Sequence, residues 1–335
     1  MPTYDATVAR RSTRPDALVP EPIVEQIFAS LPAASAVFGL VPETQRIQMD
    51  ALTDRMSVES VLPVAYFTSG DTGLRQTTAM RWKNKELVAE ELNAICVVPR
   101  NYMADARIPI WDRVKPRLTE AIGKKVDEAI LFNMSGEKPS TWGPDIYHKA
   151  ILAGNYVHEG YGVDIGVGVA RGGELLANDG FDLNGFVSKP GLNWKLAQAR
   201  SSQGVPIFQE GSLQNGVPAS LYGFPMRSLK NGAWNATEST LIGGDWSEGV
   251  VGLRQDIDFE VQTSGVISDG SGVVVYNLFQ QKLVALMVTV RLAWQVANPA
   301  NALSGDTDNG AGTEPTESTT RWPWFVLRPT GYTYS

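Results

Sequence analysis

Residues 105–133 carry the longest helical periodicity in the chain. Val114, Leu118, Ile122, Val126 and Ile130 recur at every fourth position, and Trp111, Ala121, Ala129 and Phe132 widen that stripe. Arg113, Arg117, Glu120, Lys124 and Asp127 fall largely between them. An apolar stripe flanked by charge is the pattern of a helix with one packed face and one wet face. At 1.5 Å of rise per residue such a helix is roughly 35–40 Å long, more than the width of many small domains. It reads as a spine along which flatter β elements are laid, although the same period also fits an ordinary long core helix. Pro116 removes one backbone donor, which predicts a kink or a first turn there.

What surrounds the spine is β-rich. The chain has 335 residues with Gly 32 and Pro 20 and only 19% charged side chains, a balance that favours strands joined by many turns. Its length allows one large core or two to three subdomains. The net charge of −7 argues against a surface whose main task is gripping nucleic acid. Cys96 is the one cysteine, so neither an internal disulfide nor a cysteine metal cage can form. No apolar run reaches the ~18 residues of a membrane span, and the first residues lack the apolar centre of a signal peptide. Synthesis in the cytoplasm is the expectation.

The residue pattern offers little for catalysis. His148 and His158 lack metal-ligand spacing, and no nucleophile elbow or P-loop occurs. Gly166 to Gly172 is glycine-rich but has the wrong final spacing for a dinucleotide loop. Asp245 with Glu248, and Glu90 with Glu91, read as turn and surface carboxylates. Trp234 and Trp246 fit core or interface packing; sugar stacking is the alternative. No catalytic residue, cofactor or metal is expected, and the chain does not read as an enzyme.

Read in order, residues 1–50 form a proline-punctuated arm that cannot build its own core and so lies on another surface. Its Arg10, Arg11 and Arg14 fit a solvated basic end or a contact with nucleic acid or a partner. Residues 51–100 read as a long hairpin: a leg from Val58 to Phe67, a polar tip, and a return from Thr77 to Val98. That tip has little to bury, so the hairpin makes sense on a neighbouring subunit. Residues 164–178 form a second helix, Phe186 and Val187 a short strand, and Ser188 with Pro190 start a third helix. The glycine-bearing run 263–272 reads as a mobile loop, and Lys282 to Val296 as one long strand. Residues 304–320 have the composition of a disordered acidic linker, and the apolar end Arg321 to Arg328 must dock on its own body or on a partner.

The order of these parts resembles the major capsid protein of tailed bacteriophages, with the Hong Kong 97-type shell fold, over residues 20–303. The hairpin and the spine ending Lys125-Val-Asp-Glu-Ala-Ile-Leu131 carry the likeness. So do Gly185-Phe-Val-Ser-Lys-Pro-Gly-Leu-Asn-Trp-Lys-Leu196, Gly204-Val-Pro-Ile-Phe208 and Leu221-Tyr-Gly-Phe-Pro225, followed by Gly244-Asp-Trp246 and Val290-Arg-Leu-Ala-Trp294. Each piece is degenerate alone; their order and spacing are specific.

The resemblance implies an α+β fold with an N-terminal arm (1–50) and an extended loop (51–100). A peripheral domain with the spine (101–150 and 282–303), an axial domain (151–281) and a C-terminal linker with a tryptophan-rich extension (304–335) complete it. It implies self-assembly as hexamers and pentamers into an icosahedral shell around double-stranded DNA that is bound without sequence specificity. A separate scaffolding protein, a portal protein and a possible decoration or minor capsid protein are the implied partners, with no membrane. Location in the virion, after assembly in the host cytoplasm, goes with it. Inter-subunit contact candidates are Arg10, Arg11, Arg14, Asp71, Arg75, Trp82, Trp322 and Trp324. Some members cross-link subunits through a loop lysine, an asparagine and a glutamate. The tip from Ser69 to Arg75 holds no lysine, and Lys282 and Thr289 stand at the matching asparagine and glutamate positions, so no cross-link is expected. Two other readings stay open: an encapsulin-like bacterial nanocompartment shell, and a carbohydrate-binding or hydrolytic β-rich protein.

Overall fold

The computed structural model describes residues 35–68, 73, 75, 77–101, 110–159, 165–197, 220–301, 303 and 321–329. The elements in order begin with α1 (Ala36–Leu40), β1 (Arg46–Gln48), β2 (Thr53–Val61), β3 (Arg81–Val88) and β4 (Glu90–Pro99). The spine follows as α2 (Ile110–Asp127), then α3 (Ile146–Ala153), β5 (Tyr156–His158), α4 (Ile165–Asn178), β6 (Gly185–Ser188) and α5 (Leu192–Ala197). The remainder is strand: β7 (Ser220–Leu221), β8 (Phe224–Ser228), β9 (Leu241–Gly244), β10 (Gly249–Gln262), β11 (Val266–Ser268), β12 (Val274–Asn277), β13 (Leu283–Val296) and β14 (Trp324–Arg328).

The spine's stripe packs as its period requires. Leu118, Ile122, Val126 and Ile130 are buried in one core with Leu286, Val288, Val290 and Leu292, which alternate along β13 and so share one face of its sheet. Pro116 lies inside α2, not in its first turn. The last turn widens into a π-helical segment, Glu128–Phe132, and Asn133 ends it with a left-handed φ of 47°. Residues 102–109 lie outside the described residues.

A four-stranded sheet in the order β1-β10-β13-β4 underlies the spine. A six-stranded sheet in the order β5-β14-β9-β6-β8-β7 forms the second layer, and β2-β3 and β11-β12 are separate two-stranded ribbons. This hydrogen bonding redraws several expected boundaries. The return leg of the hairpin is broken at Ala89: β3 pairs with β2, whereas β4 pairs with β13 from Pro99↔Leu283 to Glu90↔Leu292. β10, expected with residues 151–281 in an axial unit, lies beside β13 along most of its length. The arm, expected on another surface, builds part of itself into this body, with Val37 and Phe38 buried and β1 parallel to β10. Ser188 ends β6 and does not cap a helix; α5 starts after Gly191, whose φ of +82° makes the turn.

The run 263–272, expected as a mobile loop, holds β11 and the tight turn to β12. Asp269 Oδ1 accepts from Ser271 N and Val273 N at 2.9 Å each, and Gly272 takes a φ of +81°.

Candidate self-association surfaces

The β2-β3 ribbon is fastened along its length to the end of β13 and the residues after it. Lys85 Nζ donates to Val296 O at 3.1 Å, Gln295 Nε2 to Glu86 O at 3.1 Å, and Ala300 N to Glu59 O at 2.8 Å. Leu87 is buried against Met49, Val250 and Ala293. One side of the ribbon is covered, with Val58 and Val61 buried, and the other faces water. Trp82 is 57% exposed, and Val64, Tyr66 and Phe67 are exposed beyond the paired strands. Among the described residues β2 and β3 pair only with each other. These exposed apolar groups are candidates for a contact surface. Arg75 is exposed near the tip. Asp71, Arg10, Arg11 and Arg14 lie outside the described residues.

Two further surfaces were not read from sequence. The β11-β12 ribbon exposes Val266, Val273, Val274, Val275, Tyr276 and Phe279, an apolar stretch at the free end of β10 and β13. The signal was present as the run Val273-Val-Val-Tyr276, a β-forming segment that the neighbouring glycines masked. β4 is an edge strand of the four-stranded sheet, with Ile95 51% exposed.

Trp322 and Trp324, expected to reach a neighbour, are instead 1% and 0% exposed within their own chain. Trp324 centres an aromatic cluster, with ring centroids 5.3 Å from Trp322, 5.9 Å from Trp246 and 6.3 Å from Trp294. A buried apolar side chain has no surface left to offer a partner. The same burial removes the basis for sugar stacking, since Trp234 and Trp246 are buried too.

Buried charges tie the segments together. The Asp127 carboxylate, at the junction of α2 with the π-helical segment, accepts from Ser35 Oγ at 2.6 Å, Ala36 N at 3.1 Å, Val37 N at 3.3 Å and Asn231 Nδ2 at 2.8 Å. Burial raises its pKa to about 6 against the pull of those donors. Glu248 is raised to about 7, by burial and then by Asp245; Arg321 and Lys85 pull the other way. His148 is raised, first by its 2.6 Å hydrogen bond to Asp145, the N-cap of α3. Among the described residues no group of three or more His, Cys, Asp or Glu is placed to hold a metal. What the geometry brings together is exposed ribbon surface beside a two-sheet body.

The model of the phage capsid family matches residues 16–143 and 174–305. This chain belongs to the phage capsid family. The major capsid protein of Staphylococcus phage 80alpha is 27% identical over 249 residues, covering 70% of this chain and 69% of that one. A solved structure from Microbacterium phage Oxtober96 is similar with a TM-score of 0.73 and 29% identity, over 88% of this chain and 91% of its own. One from Mycobacterium phage Adephagia matches at 0.73 and 26% identity, over 90% and 91%. The fold is the α+β Hong Kong 97-type capsid fold, and the protein is a structural phage capsid protein.

Proposed function

We propose that this protein self-assembles as hexamers and pentamers into the icosahedral shell of a tailed phage, enclosing its double-stranded DNA. The observation that carries the reading is the β2-β3 ribbon. It is held along its length by Gln295, Val296 and Ala300 yet exposes Trp82, Tyr66 and Phe67, and in this reading adjacent copies cover them. The β11-β12 ribbon and the edge of β4 are further surfaces of the same kind.

The role is structural, in the virion shell, after assembly in the host cytoplasm. A separate scaffolding protein and a portal protein act with it in this reading. DNA is packed without sequence readout; a net charge of −7 favours a genome that slides over one that sticks. The boundaries proposed are those of the sheets: β4, β10, β13 and the spine in the peripheral unit, and the six-stranded sheet with α4 and α5 in the axial unit.

Purified protein under assembly conditions, imaged by electron microscopy, tests this. Closed particles that take up DNA with a portal present are expected. A small, folded oligomer under every condition would contradict the reading, and shells that hold only protein cargo would favour a nanocompartment.

A further inference from the structure

β14 comes from the far end of the chain yet lies inside the six-stranded sheet, between the edge strand β5 and β9. It runs parallel to β5, from Val326↔Tyr156 to Arg328↔His158, and antiparallel to β9, from Trp324↔Gly244 to Leu327↔Leu241. All five of its residues are buried. Residues 304–320 connect it to Leu303, and at ~3.5 Å per residue they can span up to about 60 Å.

The cleft is shaped to this strand's side chains. A Cβ on Gly172 of α4 would lie 2.1 Å from the Phe325 ring, and one on Gly243 would lie 2.6 Å from it. A Cβ on Gly244 would lie 2.2 Å from the Trp324 ring. Bare positions on two separate elements thus form sockets for two rings. Polar contacts fix the register: Trp322 Nε1 donates to Ile146 O at 3.2 Å, Asn155 Nδ2 to Trp322 O at 2.9 Å, and Glu159 N to Arg328 O at 2.8 Å. The strand also joins two cores, with Trp324 and Val326 in one and Phe325 and Leu327 in the other. β14 follows both of its partners, β5 and β9, in the chain, so they are made and can stand before it arrives.

We propose that the cleft between β5 and β9 is a strand-acceptor site, filled by residues 321–329 as the last event in completing a subunit, and that only a subunit with this strand seated joins a shell. Recognition is by strand addition: the backbone ladder supplies affinity and the two ring sockets supply specificity. The second clause rests on the shell reading above; the first does not.

The test uses the full chain with a site-specific protease sequence placed within residues 304–320 and cut in the folded, unassembled subunit. Native mass spectrometry is expected to find the cut segment still bound. A labelled peptide of residues 321–329 is expected to exchange into the cut subunit, and the same peptide carrying Phe325→Asp is not. In the intact chain, Phe325→Asp is expected to lower amide protection at least 100-fold in Leu241–Gly244 and Tyr156–His158. It should leave the spine and β13 protected and cut incorporation into particles at least tenfold.

Immediate loss of the cut segment from a body that stays fully protected would overturn the acceptor site, as would equal exchange of both peptides. Loss of protection everywhere at once in Phe325→Asp would overturn the last-event claim, because the strand would then belong to one cooperative core. Wild-type incorporation of Phe325→Asp would overturn the assembly checkpoint. Absence of shells from the unmodified chain would strike the shell reading alone, and the exchange result would still judge the site.

Discussion

Glu248 and Asp127 hold their protons unusually well, and this sets the sign of the pH response. Their folded values of about 7 and about 6 lie above the ordinary 4.5 and 3.8. A raised acid contributes stability that is complete below its ordinary value and is lost as pH rises through its folded value. Thermal stability is therefore expected to fall between about pH 4 and pH 7. Glu248→Gln should flatten the upper part of that fall, by about 1–3 kcal/mol at pH 8; parallel melting curves for the variant and the unmodified chain would contradict this. Asp127→Ala leaves Ser35 Oγ, two backbone donors and Asn231 Nδ2 without their acceptor. A cost of about 2–4 kcal/mol in urea denaturation is expected. Residue identity also bears on cross-linking. With no lysine from Ser69 to Arg75, and with Lys282 and Thr289 at the matching positions, assembled particles boiled in detergent should run as a single 36.4 kDa band. A ladder of covalent oligomers would contradict that.

At the scale of elements, the parts governed by local pattern were legible and the parts governed by remote pairing were not. The spine follows from the four-residue recurrence through Val114, Leu118, Ile122, Val126 and Ile130, and β13 from the β-forming run after Lys282. The break at Ala89 was hidden, because β3 and β4 form one continuous strand-like sequence whose two halves pair with different partners. The end of the chain was read as needing a dock, since apolar side chains must be covered. That its dock is the gap between β5 and β9 depends on Gly172, Gly243 and Gly244, whose missing side chains mean nothing until the rings of Trp324 and Phe325 are placed against them. Two β-forming legs around a polar tip read as a hairpin, and β2 and β3 do pair, over Thr53–Val61 and Arg81–Val88, while the second ribbon went unread because its glycines resemble those of a loop. Gly243→Val tests the socket: its side chain would collide with Phe325 and Phe186. A loss of about 2–4 kcal/mol in denaturant unfolding is expected. An unchanged midpoint would show that the packing around β14 is loose.

At the scale of the whole molecule, closed cores coexist with apolar side chains left outside on the ribbons and on the body. Two sheets, the spine and the aromatic cluster bury most of their apolar residues, while Trp82, Phe67, Tyr276 and Phe279 on or beside the ribbons, and Leu152, Trp194 and Tyr222 elsewhere, remain outside. In the proposed shell, part of this exposed apolar surface is covered by other copies. Trp82→Ala should therefore leave the melting temperature of the unassembled subunit within about 2 °C, as exposed positions do, and lower particle yield. The most direct measurement is the structure of the particles themselves by electron cryomicroscopy. The account predicts closed shells in which the β2-β3 ribbon of each subunit lies on an adjacent copy and Trp82 is covered there. Shells in which that ribbon folds back over its own subunit, or protein that never leaves the monomeric state, would contradict it.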